Sequence, residues 1–376
     1  LPRVFIWKKN MKAINLLQPT FDKATIRALI EVMRSGWVVQ GAKTAEFEEK
    51  FADYVGTKYA VGTNSCTSAL DIAIKAYGIK GGELITSPMT FVSDAIVGEW
   101  NDMDVTFADV DPKTLCLDPE ALVLSKKTKV IIAVDSHGRL ADIEGIRKKC
   151  DEAGIKPLII EDAAHAMYTP GVGKGDITVY SFQGVKTMPI FDGGMVTTND
   201  EKIYKKLRTL TWLGVEKTTF DRVGGKTYTW DYDITQGDGI KAYMTDVQAV
   251  IGIGQLDRLE VTNRRRRDIQ AKYNRAFVKY DWFKAPEFSH TVQYYTPQWR
   301  DRNGLGAYLS SKGIHTSVHF KPLSEMTYWK KAVKRSLPIT KLTWKMLLSL
   351  PVHNALTDKQ QDYVIKTVKE YYAKTS

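Results

Sequence analysis

The chain predicts an α/β fold with a mostly parallel central sheet flanked by helices, followed by a smaller α+β C-terminal domain. Three observations carry this expectation. From about residue 21 to 251, helical patterns alternate with short apolar strand patterns, as in helices packed on a parallel sheet. Val130-Ile131-Ile132-Ala133-Val134 and Pro157-Leu158-Ile159-Ile160 are continuous apolar runs, the mark of strands covered on both faces. The polar residues with the clearest chemistry fall just past strand ends, where open α/β sheets place their ligands.

Taken in order, 65–77 reads as a helix opened by small polar residues. Strands are expected at 83–86, 105–108, 130–134, 157–160, 179–182 and 194–198. Residues 218–239, rich in Gly, Thr and aromatics, read as an ordered loop or hairpin. A long helical segment at 245–279 bridges to the second domain, which mixes a helix at 302–312, a strand at 316–320 and an amphipathic helix at 358–373. The expected division is an N-terminal extension at 1–20, a large domain at 21–255 and a small domain at 256–376. Residues 1–10 fit neither pattern, and Met11 reads as a native start.

With 376 residues, 43% of them hydrophobic and 26% charged, the chain can bury a sizeable core and exceeds one compact layer system. Cys66, Cys116 and Cys150 are too few and too scattered for a disulfide framework or a metal site, which fits a reducing compartment, the cytoplasm by default. No run approaches the length of a membrane span, and residues 1–10 hold no secretory apolar core. The net charge of +11 points to nucleic acid or to an anionic small molecule. The second is favoured, because the one dense basic block, Arg264-Arg265-Arg266-Arg267, falls on a helical pattern and reads as a solvated face.

The chemistry centres on two residues. Lys186 follows the strand that ends in Ser181-Phe182, and Asp162 ends the apolar strand before it. A lysine amine can hold the aldehyde of pyridoxal phosphate as a Schiff base, while a buried carboxylate can keep the pyridine nitrogen protonated. A carboxylate ending a buried strand needs such a partner, since an uncompensated charge there costs several kcal/mol. Thr63-Asn64-Ser65-Cys66-Thr67-Ser68-Ala69 leads into a helix whose first N–H groups suit a phosphate, or else form an ordinary cap. Phe91 follows the 83–86 strand and is placed to stack on the ring. His165 is a candidate for the phenolic oxygen, and Ser181 for the phosphate. Lys186 needs a neutral amine for part of its cycle, so its pKa should be depressed by burial.

Several motifs then resemble, in order and almost end to end, the DegT-type sugar aminotransferases, which are fold type I pyridoxal-phosphate enzymes. They are Ser35-Gly36-Trp37-Val38-Val39-Gln40-Gly41, Ala45-Glu46-Phe47-Glu48, Asn64-Ser65-Cys66-Thr67-Ser68-Ala69-Leu70, and Glu161-Asp162-Ala163-Ala164-His165-Ala166. Ser181-Phe182 with Lys186, Asp192-Gly193-Gly194, and Met244-Thr245-Asp246-Val247-Gln248-Ala249 follow. Gly313-Ile314 through His319, Pro322-Leu323, and Ser349-Leu350-Pro351-Val352-His353 complete the set. The resemblance implies that Lys186 is the Schiff-base lysine, Asp162 the pyridine partner, His165 the side chain beside the ring and Phe91 the stacking aromatic. Cys66, Thr67 and Ser181 fall at phosphate contacts, and His319 is a candidate substrate contact. It further implies a homodimer with shared sites, in which the 239–243 loop reaches the partner's site.

Two departures from the family pattern stand out. Lys241 replaces a common Asn in that loop, bringing a charge to a phosphate contact. Met188-Pro189-Ile190-Phe191 makes the turn before Asp192 unusually apolar and is expected to shift substrate preference. The implied reaction takes an amino group from glutamate or glutamine to a keto sugar linked to a nucleotide, for amino sugar biosynthesis. Alternatives are a sugar dehydratase, against which Lys186 speaks because those relatives carry His instead, a cyclitol aminotransferase, and a non-catalytic regulatory relative. Arg222 is a further, weaker candidate for holding an anionic group.

Overall fold

A computed structural model describes residues 13–167, 169–223, 230 and 232–375. The expected start at Met11 and residues 224–229 and 231 of the predicted 218–239 loop lie outside them. The chain opens with helices α1 (Lys23–Ser35) and α2 (Ala42–Val55). It continues through β1 (Tyr59–Thr63), α3 (Cys66–Ala76), β2 (Glu83–Thr86), α4 (Ser93–Trp100), β3 (Asp104–Phe107), β4 (Thr128–Val134), α5 (Ile143–Glu152), β5 (Leu158–Asp162), β6 (Ile177–Ser181) and β7 (Gly194–Thr198). Helices α6 (Glu201–Leu210), α7 (Thr219–Val223), α8 (Asp246–Leu256) and α9 (Leu259–Phe277) follow. The C-terminal part holds β8 (Phe283–Lys284), β9 (Gln298–Trp299), α10 (Arg302–Ser311), α11 (Pro338–Thr343) and α12 (Asp358–Thr375). None of the described helices is long and apolar enough to cross a membrane.

The central sheet runs β1-β7-β6-β5-β4-β2-β3. Only β7 is antiparallel to its neighbours β1 and β6; the other pairs are parallel. Strands β5, β6 and β7 are buried along their whole length, as strands are when helices cover both faces of the sheet. The β6–β7 reversal matters for chemistry. An antiparallel pair needs no crossover helix, so 182–193 turns directly at the sheet's C-terminal edge, closed by Phe182 N–H to Gly193 O (2.9 Å), Ile190 N–H to Phe182 O (2.8 Å) and Gly184 N–H to Phe191 O (2.8 Å). Lys186 sits in that turn.

The helices begin where side chains satisfy their free N–H groups. Asp22, Ser65, Asp142, Asp200 and Asp301 cap α1, α3, α5, α6 and α10, and Thr245 with Gln248 forms a reciprocal capping box on α8. The start of α2 is held from a distance: Asp246 accepts from Lys43 N, Thr44 N and Thr44 Oγ1. The 35–41 and 244–249 motifs therefore meet in space.

Three expectations need correction. The 245–279 segment is two helices, because Gln255 Nε2 and Arg258 Nη1 both bond the Thr20 carbonyl and turn the chain between them. The 316–320 strand is absent, since within this stretch only Ser317 makes a bridge, to Ser349, and no adjoining pair extends it into a ladder. The basic block is not simply a solvated face. Arg266 is buried and donates to the Val292 and Gln293 carbonyls, Arg265 to the Leu356 carbonyl and Asp358, and Arg267 to the His290 carbonyl. These contacts pin α9 to the C-terminal part.

That part has its own core, in which Ile269, Tyr273 and Phe277 of α9 pack with Tyr295, Trp299 and Val364. Ile14 joins this core, so the start of the described chain is structurally tied to its end. Conversely, Leu323, Trp329 and Leu337 return to the core around β2 and β3. The site below lies between segments stitched in both directions.

Candidate active site

Four strand ends converge on one place. Past β2 lie Phe91 and α4; past β4, His137; at the end of β5, Asp162 with His165; and past β6, Lys186. The register pairs Asp162 with Val134 on one side and with Val179 on the other, which puts these groups along one edge of the sheet.

Asp162 is buried, and its Oδ1 accepts from Ala164 N–H at 2.8 Å. Burial raises its pKa above the usual carboxylate value, opposed by a hydrogen bond from Asp94, the Ala164 N–H and the Lys186 charge. Burial likewise lowers the Lys186 amine, while Asp162, Cys66 and Asp94 pull it back up. The Lys186 shift favours the neutral amine, the direction a nucleophilic lysine needs.

His165 is buried, and its Nδ1 accepts the backbone N–H of His137 at 3.3 Å. Burial and the nearby Lys186, His137, His319 and Arg139 charges push its pKa well below the ordinary imidazole value. The ring is therefore neutral with its proton on Nε2, a donor suited to an oxygen carrying negative charge.

At the start of α3, Ser65 Oγ takes the Ser68 N–H at 3.1 Å, whereas the N–H groups of Cys66 and Thr67 have no acceptor among the described residues. Gly194 passes so close that a Cβ there would lie 2.7 Å from Cys66 N and Ser65 O. Ser181, buried at the end of β6, pairs with Gly194 in the sheet. Cys66, Thr67 and Ser181 thus line one cradle of free donors, the arrangement that holds a phosphate. The Cys66 thiol is raised well above its ordinary pKa by burial, then by Asp162 and Asp94, so it serves as a neutral group.

His319 also reaches the site. Its ring stacks on Tyr294 at 3.6 Å, its Nδ1 meets Ser349 Oγ at 2.8 Å, and burial, helped by the Lys186 charge, pushes its pKa down to about 3. Phe91, beyond β2, is 60% exposed, which suits a ring that stacks on another. The Lys241 and Arg222 side chains make other contacts. Lys241 is exposed, its Nζ 5.5 Å from the centre of the Trp212 ring. Arg222 is engaged by Thr218, Thr219 and the Tyr232 ring. In the apolar turn, Met188 and Ile190 are wholly buried in the core with Phe182 and Met244, and Phe191 alone faces outward. Any influence on substrate would have to come through Phe191.

Four residues escaped the sequence reading. His137 and Asp94 lie just past strand ends or a helix start, and the same strand-end rule applied to β4 and β2 finds them. Tyr294 and Phe320 come from the C-terminal part. Phe320 stacks on His165 at 5.8 Å and 14°, a contact with no local signature. Among the described residues, no group of three or more His, Cys, Asp or Glu side chains could hold a metal ion.

The residues present fit pyridoxal phosphate: a cradle of free N–H groups for the phosphate, a buried carboxylate for the ring nitrogen, a neutral imidazole donor for the phenolic oxygen and a lysine of lowered basicity. The comparisons with known proteins agree. The profile of the DegT/DnrJ/EryC1/StrS aminotransferase family matches residues 19–369. The spore coat polysaccharide biosynthesis protein SpsC of Bacillus subtilis is 34% identical over 374 residues, covering 94% of this chain and 95% of that protein. Among solved structures, the aminotransferase TlmJ from Streptoalloteichus hindustanus superposes with a TM-score of 0.88 at 28% identity, covering 97% of this chain and 100% of that one. The sugar aminotransferase CalS13 from Micromonospora echinospora gives 0.86 at 27%, covering 95% and 99%. Spr1654 from Streptococcus pneumoniae, solved in its PLP form, gives 0.87 at 26%, covering 97% and 100%.

Proposed function

Because the chain belongs to the DegT/DnrJ/EryC1/StrS aminotransferase family, whose members are pyridoxal-phosphate-dependent, we propose that it moves an amino group from glutamate or glutamine to a keto sugar linked to a nucleotide. The observation that carries the site assignment is the convergence of Lys186, Asp162 and His165, with the Cys66–Thr67 cradle, at one sheet edge.

When bound, pyridoxal phosphate supplies an electron-accepting ring that spreads the charge left on breaking a C–H bond beside an amino nitrogen. Lys186 would hold the cofactor through its Nζ, and the same Nζ would carry the proton that amino transfer moves. Its lowered basicity keeps part of the amine neutral for both tasks. Asp162 would set a carboxylate against the ring nitrogen, His165 would donate from Nε2 to the phenolic oxygen, and Cys66, Thr67 and Ser181 would hold the phosphate. Phe91 would cover one ring face, and His319 would border the substrate. Retention of Lys186 favours amino transfer over dehydration.

The nucleotide is supported by the net charge of +11 and by Lys241, a cation turned outward. A homodimer with shared sites is supported by the same residue and by α1, whose Ile26, Ile30 and Met33 form an exposed apolar stripe at helical spacing. A reducing compartment, the cytoplasm, is supported by three free cysteines. The test is a spectral screen of the loaded protein. Glutamate or glutamine should convert the cofactor to its aminated form, and a nucleotide-linked keto sugar should restore it. Restoration only by a cyclitol ketone, or by free sugars alone, would contradict the substrate reading.

A further inference from the structure

A second carboxyl lies against Asp162. Asp94, in the first turn of α4, is 1% exposed. Its Oδ2 accepts from Thr90 Oγ1, while its Oδ1 is buried and meets no protein donor. The group it touches is the Asp162 carboxyl, which already takes the Ala164 N–H. Two ionised carboxylates in contact inside the fold would repel strongly with no water between them. A buried oxygen without a donor would add a desolvation cost. Both difficulties vanish if one proton sits on the pair.

Asp94 is the member placed to carry it. It is the more buried of the two and receives only one hydroxyl donor, whereas Asp162 receives a backbone N–H and is the pair's member assigned to the cofactor. The other groups facing Asp94 are Thr90, Cys66 and Lys186. Burial and the Asp162 charge raise the Asp94 pKa well above the usual carboxylate range, in keeping with this placement.

We propose that Asp94 is a protonated positioning residue whose O–H donates to Asp162, fixing the direction in which Asp162 meets the cofactor's ring nitrogen and keeping the pair at a single negative charge. This rests on the assignment of Lys186 and Asp162 to the cofactor. Asp94 acts through Asp162 and has no contact of its own with the reacting atoms. A single charge matches one pyridinium; a doubly charged pair would also strain the fold before any cofactor arrived.

The test compares full-length wild type with Asp94→Asn, which keeps a donor of the same shape and cannot ionise, and with Asp94→Leu and Asp94→Ala, which have no donor. The dissociation constant for pyridoxal phosphate is measured by equilibrium dialysis near neutral pH. Asp94→Asn should hold the cofactor within about threefold of wild type, whereas the donor-less variants should weaken it by roughly tenfold to a hundredfold, the worth of one hydrogen bond to a charged group. The proposal is overturned if Asp94→Asn loses as much as the donor-less variants, if a folded donor-less variant binds like wild type, or if Asp94→Asn does not fold. Wild type that binds no cofactor would sink the underlying site assignment as well, which separates the two failures.

Discussion

The backbone N–H of His137 donates to Nδ1 of His165 at 3.3 Å, with the two rings stacked 5.7 Å apart at 9°. A ring nitrogen that accepts carries no proton, so this bond selects the His165 tautomer and aims the Nε2 proton outward. His165→Gln, which keeps a donor, should retain most of the donor half-reaction rate. His165→Phe should lose roughly tenfold to a hundredfold, as expected for a hydrogen bond to a charged oxygen. Single-turnover absorbance with a saturating amino donor measures this. Equal losses in both variants would contradict the donor role.

Gly194 marks where β7 passes the start of α3. An added methyl would meet backbone atoms at 2.7 Å, not a flexible side chain that can swing away. Gly194→Ala should therefore cost about 1–3 kcal/mol of stability, as overpacking does, and should weaken phosphate binding by displacing Cys66 and Thr67. Urea unfolding of the protein without cofactor and phosphate competition against pyridoxal phosphate report the two effects separately. Wild-type values for both would show that the cradle tolerates the shift.

His319 makes stability depend on pH with a definite sign. Its folded pKa is pushed down to about 3 from an ordinary 6.5 by burial and the Lys186 charge. The unfolded chain takes up this proton as pH falls through 6.5, while the folded one resists until about 3. The stabilising contribution is thus complete above 6.5 and is lost as pH falls, by at most about 1.4 kcal/mol per pH unit. His319→Asn should flatten that part of the slope, measured by urea unfolding at pH 7 and pH 5. Identical slopes in variant and wild type would contradict the burial of a neutral ring.

Lys241 offers a direct test of shared sites, since it is exposed and lies over Trp212 in its own chain. If it serves the partner, Lys186→Ala and Lys241→Ala chains should each be weak alone. After mixing and subunit exchange, they should regain up to about a quarter of wild-type activity, because half the dimers would be mixed and each would carry one intact site. No recovery despite proven exchange would place Lys241 in its own chain's site, and full activity of Lys241→Ala alone would place it outside catalysis.

Much of this architecture was legible because it follows from local rules. Continuous apolar strands announce the buried sheet, and Asp162, His165 and Lys186 stand at or just past strand ends in sequence and fold alike. What was not legible depends on long-range partners. Asp246 reads as an ordinary first-turn acid until it is seen taking the N–H groups of α2. Arg266 reads as a solvated charge until the carbonyls of Val292 and Gln293 arrive to bind it. The 316–320 stretch has strand composition, but within it only Ser317 finds a bridge partner, Ser349. Asp94 looks like a helix-start acid favoured by the dipole; only the fold brings it against Asp162.

The account stands most directly on the covalent role of Lys186. Wild type loaded with pyridoxal phosphate, reduced with borohydride, digested and analysed by mass spectrometry should carry the cofactor on the peptide containing Lys186, and Lys186→Ala should carry none at that peptide and show no turnover. Cofactor reduced onto a different lysine in wild type, or sustained turnover by Lys186→Ala, would contradict it.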